Sequence, residues 1–180
     1  VTYSFISPKA YDKIALPSDS ALRKCVVISN PLGEDTGVMR TSMIPSMMDT
    51  LSRNYNNRNL SAFLFENGKV YIPNGEDELP DENRTLSIGM YGDGIDFFTL
   101  KGKVEALFAA AGVVGYDVEP VTDNPTFHPG RTARFTVGNE EVALLGEIHP
   151  DVAENYSIGT KVYVASISVD KLFKYQHTKR

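Results

Sequence analysis

The chain has 180 residues, 42% of them hydrophobic and 23% charged, with a formal net charge of −5, which is the composition of one globular domain able to bury a full core without covalent staples. One cysteine, Cys25, excludes an intrachain disulfide framework and fits a reducing cytoplasm; no apolar run reaches the roughly 18 residues of a membrane-spanning helix. The acidic balance argues against diffuse attraction to nucleic acid.

The organisation expected is a core over residues 1–173 and a polar tail over 174–180, cut from a longer polypeptide, because Val1 already opens on structured-looking sequence. Thr2 to Ile6 reads as extended. Ser7 and Pro8 then offer a cap and a first-turn proline for a short helix to about Leu16. Lys24 to Ser29 is a β-branched run, read as a strand buried on both faces. It leads through a turn at Asn30, Pro31 and Gly33 into a short extended piece, Gly37 to Arg40. From Ile44 the apolar residues Ile44, Met47, Met48, Leu51 and Tyr55 have the spacing of one buried helical face. An arginine just before such a helix needs a carboxylate or phosphate partner if it is buried, which singles out Arg40.

Two strands are expected next, Ala62 to Phe65 and Lys69 to Ile72, with Asn67-Gly68 between them as a hairpin turn or a bulge. Residues 73–83 are acidic and aperiodic, as in a mobile loop. Thr85 to Tyr91 is a strand, and Gly92 and Gly94 turn it into a helix with Leu100, Val104, Leu107, Phe108 and Ala111 on one face and Gly112 as its stop. A strand near Tyr116 to Val121 precedes a hairpin, Ala133 to Val137 with Val142 to Ile148, across Gly138-Asn139. His149, Pro150 and Asp151 start a short helix, and Lys161 to Val169 is the last strand. The fold class is therefore α+β, a mostly antiparallel sheet flanked by helices.

Candidate chemistry is sparse. Arg131 beside Gly130 suits an anion, or His128-Pro129-Gly130 is a tight turn and Arg131 pairs with a carboxylate such as Glu147. Glu147 and His149, with His128, are the residue types of a His-His-carboxylate metal site, although a histidine before proline is also an ordinary turn residue. The glycines at 89, 92 and 94 match neither the Walker nor the dinucleotide pattern. Cys25 reads as an inert core thiol.

Six ordered blocks, Val1 to Pro8, Asn30 to Leu32 with Met39 to Pro45, Leu64 to Val70, Asp96 to Leu107, Phe127 to Ala133 and Leu145 to Val152, resemble the catalytic-like core of the bacterial phenylalanyl-tRNA synthetase beta subunit. The resemblance implies a class II synthetase-type fold and an α2β2 enzyme that uses ATP and Mg2+ to attach phenylalanine to tRNA. In that family the alpha subunit holds the active site, and tRNA is met only by the assembled enzyme. A working class II site holds ATP with arginines; here the corresponding hairpin reads Phe63 to Glu66 without one, and no Glu-Arg pair occurs. The expectation is a non-catalytic scaffold that binds no cofactor, metal or membrane. Its Arg40, Arg131, Glu147, His128 and His149 form structural pairs or a relic pocket. Met43, Ile44, Met47, Met48 and Leu51 are expected to dock on the alpha subunit, the helix from Ile44 to Tyr55 corresponding to one used at class II interfaces. Two alternatives stay open: an active ligase site built from Arg40, Arg131 and Glu147, and an isolated domain that self-associates through the same helix.

Overall fold

The computed structural model describes residues 4–33 and 36–177. The start of the expected first strand and the last three residues of the expected tail lie outside them. Strand β1 is Phe5–Ile6 and helix α1 is Ala10–Lys13, stopped early where Ala15 takes φ of 56°. β1 pairs with β2, Val38–Met39, in a small antiparallel ladder. The run from Lys24 to Ser29 is not a doubly buried strand. It makes one bridge, Val27 to Val38, and Val27 is 73% exposed. β-branched content reported extended backbone there but not burial, which depends on cover from the rest of the fold.

Helix α2 runs over Ile44–Asn56, with Pro45 in its first turn. It is followed by β3, Ala62–Ile72, and β4, Asp81–Tyr91, which pair without a break from Ala62↔Tyr91 to Ile72↔Asp81. Asn67-Gly68 is therefore neither hairpin turn nor bulge but the middle of one long strand; the connection lies at residues 73–80, and the end of the presumed loop is strand. Helix α3 is Phe97–Ala110, its start fixed by a reciprocal cap between Asp96 and Thr99. Gly112, at φ of 73°, ends it. β5 is Asp117–Pro120, β6 Phe127–Val137, β7 Glu140–Ile148, α4 Pro150–Asn155, β8 Tyr163–Ser168 and α5 Val169–Lys174. Gly138 and Asn139, both at positive φ, make the tight β6–β7 turn. His128-Pro129-Gly130 is not a tight turn; it opens β6, and the β6–β7 register shifts between Phe127 and Thr132.

The six long strands form one sheet in the order β3-β4-β8-β7-β6-β5, every neighbouring pair antiparallel. Because side chains alternate along a strand, the sheet separates two cores. Val164 joins Leu144 and Ile148 under α2 and α4, while Tyr163 and Ala165 join Ala143 and Leu145 on the other face, with α3. Gly89 lets α2 sit down on the sheet: a Cβ there would stand 2.6 Å from Met47 Sδ and 2.8 Å from Leu51 Cδ1.

This packing uses, within the chain itself, the α2 side chains that were expected to dock on a partner. Met43, Met47, Met48 and Leu51 are at most 1% exposed and Ile44 is 7% exposed, all within the single chain. Each packs into the domain's own core, at about 1.5–3 kcal/mol of burial apiece.

Candidate functional site

Two of the arginines pair with buried or partly buried carboxylates, and the fold holds them apart. Arg40 follows β2 and is wholly buried. Its main chain is pinned on both sides, its amide to the Ser4 carbonyl at 3.0 Å and its carbonyl to the Tyr71 amide at 2.8 Å. The guanidinium lies over Gly68, where any side chain would overlap it. Nε donates to the Lys69 carbonyl at 2.8 Å, and Nη1 reaches Ser46 Oγ and Glu66 Oε1, both at 3.4 Å. Next to it Thr41 donates its amide to the Tyr11 hydroxyl at 3.0 Å. Burial, reinforced by the neighbouring Cys25 thiol, pushes the Tyr11 phenol up to about 12. That hydroxyl stays protonated and serves as a fixed structural group.

Arg131, on β6, donates from Nη1 to both oxygens of Glu147, at 3.0 and 3.2 Å. Glu147, on β7, has a side chain only 4% exposed against 46% for Arg131, and its carboxylate also accepts from the Tyr163 hydroxyl at 3.3 Å. Burial, then the Glu147 charge, raises the Tyr163 phenol above its ordinary value. The pair lines a cleft of about 1080 Å³ that also takes in His128, Tyr55, Glu154 and Lys161.

The five polar residues singled out by sequence are only partly brought together. Arg131, Glu147 and His128 share the cleft, whereas Arg40 does not line it and His149 borders a different cavity. His128 Nδ1 accepts from the Gly130 amide at 3.1 Å, and His149 Nδ1 accepts from the Asp151 amide at 3.1 Å as the cap of α4. Each histidine spends a ring nitrogen on local backbone. Among the described residues no three His, Cys, Asp or Glu side chains converge as a metal site. Nor do Arg40, Arg131 and Glu147 converge into the active site of the ligase alternative. Two participants were missed from sequence, Glu66 and Tyr163. Glu66 carried a usable signal: it alternates in phase with Leu64, Gly68 and Val70, and an acid on the inward phase of a strand calls for a buried cation.

An antiparallel six-stranded sheet with α2 and α4 on one face and α3 on the other is the core of the class II aminoacyl-tRNA synthetases. The crystal structure of pyrrolysyl-tRNA synthetase from Desulfitobacterium hafniense superimposes with a TM-score of 0.75 at 16% identity, covering 98% of this chain and 63% of that one. Sequence narrows the class: the model of the phenylalanyl tRNA synthetase beta chain CLM domain matches residues 1–169, and the chain belongs to that family. Among its relatives, the phenylalanine–tRNA ligase beta subunits of Clostridium acetobutylicum and Clostridium tetani are 51% and 50% identical over 175 residues, covering 97% of this chain and 22% of each relative. That of Carboxydothermus hydrogenoformans is 38% identical over 182 residues, covering 96% of this chain and 23% of the relative. The chain thus spans about a fifth of the curated relatives it matches.

Proposed function

We propose that this chain is a non-catalytic core domain of a phenylalanine–tRNA ligase beta subunit, acting in the cytoplasm as an assembly partner of the catalytic alpha subunit in an α2β2 enzyme. The whole enzyme attaches phenylalanine to tRNA at the expense of ATP, with Mg2+. This domain's share is structural, and tRNA is engaged by other parts of the assembly. Residues 1–173 make up the core.

One observation supports the reading: the buried guanidinium of Arg40 and the cleft guanidinium of Arg131 are each committed to a carboxylate of the same chain, Glu66 and Glu147. A triphosphate needs cations whose charge is available to it. The residues present do not fit the nucleotide or its metal. Of the cleft's positive groups, Arg131 is paired with Glu147, and Lys161 shares the lining with the acid Glu154.

Two measurements test this. Incubated with ATP, Mg2+ and phenylalanine, the chain is expected to give no ATP–pyrophosphate exchange above a no-enzyme blank; exchange that depends on phenylalanine overturns the non-catalytic reading. Co-expressed with an alpha subunit, it is expected to co-purify with it, and separate elution sinks the assembly role.

A further inference from the structure

β3 is an edge strand, and only part of its outer flank is occupied. Its unbroken register with β4 means that backbone groups alternate strictly between the β4 side and the outside. Three contacts fix the phase. The Tyr71 amide donates outward to Arg40, the Lys69 carbonyl accepts from Arg40 Nε, and the Arg84 amide, opposite Lys69, turns away from β3 to Asp170. Odd-numbered residues therefore face out. Phe63, Phe65 and Asn67 present three amides and three carbonyls that have no backbone partner among the described residues.

The same positions carry apolar exposure. Phe63 is 51% and Phe65 72% exposed, on the sheet face opposite α2. The helices on that face stand over β4, β7 and β8 and leave β3 uncovered, apart from Lys103 of α3, whose Nζ lies 5.6 Å from the Phe63 ring centre. An open flank with aromatic rings on alternate residues is a template for one more strand.

We propose that this flank pairs with the same flank of a second copy of the chain, antiparallel, about a two-fold axis through Leu64. In that register Phe63 lies opposite the partner's Phe65 and the reverse, as hydrogen-bonded pairs, so four phenyl rings meet on one face. Leu64 meets its own counterpart on the other face, and Glu66 lies opposite Ala62, so no like charges are opposed. Shifting the axis to Phe65 sets Phe63 against Asn67 and leaves one opposed ring pair, Phe65 with its counterpart, instead of two, which is why the Leu64 register is preferred. A second copy is the occupant because the stretch is self-complementary: it supplies both the donors and the rings that it needs. Arg40 closes the flank at Lys69 and Tyr71, so pairing stops there. About six residues per copy take part, against about 20–30 in a permanent interface, and the dimer is reversible.

Sedimentation of the chain over a micromolar to millimolar range is expected to show the mass rising from the 19.9 kDa monomer toward twice that. Replacing Phe63→Lys together with Phe65→Lys holds the protein at monomer mass with an unchanged circular dichroism spectrum. Phe65→Pro removes an outward amide that the β4 ladder does not use and weakens the dimer, whereas Val114→Lys, at an exposed site elsewhere, leaves it intact. On a Cys25→Ser background, copies carrying Phe63→Cys mixed with copies carrying Phe65→Cys cross-link to one another faster than either does alone. If the lysine pair unfolds the chain, the proline variant and the cross-link still decide. Monomer at every concentration, a dimer indifferent to Phe65→Pro, or cross-linking no faster in the mixture overturns the proposal.

Discussion

Arg40, Glu66 and Gly68 behave as one unit, since the guanidinium takes the space that a side chain at residue 68 would fill and gives its charge to the acid two residues away. Gly68→Ala should cost about 1–3 kcal/mol by overpacking, and most of that cost should vanish on an Arg40→Met background. Arg40→Met alone should cost about 3–5 kcal/mol, because it strands a half-buried carboxylate, and adding Glu66→Leu should recover part of it. Urea denaturation of the four proteins in each cycle measures both couplings. A second residue-scale effect depends on pH. The Tyr175 hydroxyl, and then Lys174, hold the Glu140 carboxyl down to about 2. A depressed folded value means the stabilisation is full above the ordinary value of 4.5 and is lost as pH falls through about 2. Glu140→Gln should therefore be the less stable protein at neutral pH, with the gap to the parent closing between those two values in thermal melts.

Among the elements, α2 shows what becomes of an apolar helix face, since Ile44, Met47, Met48 and Leu51 are all buried. Met47→Glu or Met48→Glu should abolish the fold outright, seen as loss of the cooperative melt, because each charge would enter a core with no counter-ion. A folded variant that had merely lost affinity for a partner would contradict the burial. The helices α2 and α3 and the β6–β7 hairpin were legible in the sequence because their signals are local: a 3.6-residue period, a cap, a Gly-Asn turn. Lys24 to Ser29 and Asn67-Gly68 were misread because the deciding facts are remote. Val27 stays 73% exposed among the described residues, and Gly68 is glycine on account of Arg40, 28 positions earlier. The candidate site divides the same way. Arg131 and Glu147 were named from the chain, on two strands joined by a turn that sequence shows. The partners of Arg40 come from α2 and β3, and only the folded chain brings them to it.

Taken whole, the described residues are built on one six-stranded sheet with an apolar layer on each side, and that architecture was readable as a class before any contact was known. The strand order was not, because alternation of side chains says which face a residue takes and nothing about which strand lies beside it. The separation of Arg40 from Arg131 follows from this order: β3, which receives Arg40, is an edge, whereas β6 and β7 are separated from it by β4 and β8. The two positive centres are thus placed at separate parts of the sheet, and each serves a local ion pair.

The strand order also bears on synthesis. β8 is made last yet lies between β4 and β7, so it acts as a keystone. As the nascent chain leaves the ribosome, the β3–β4 hairpin and the β5–β6–β7 meander each wait with a raw flank until Tyr163 to Ser168 arrives. For the hairpin that wait is roughly 77 residues of translation, about 4 to 15 seconds at ordinary elongation rates. During that interval the half-built sheet is a natural client for chaperones.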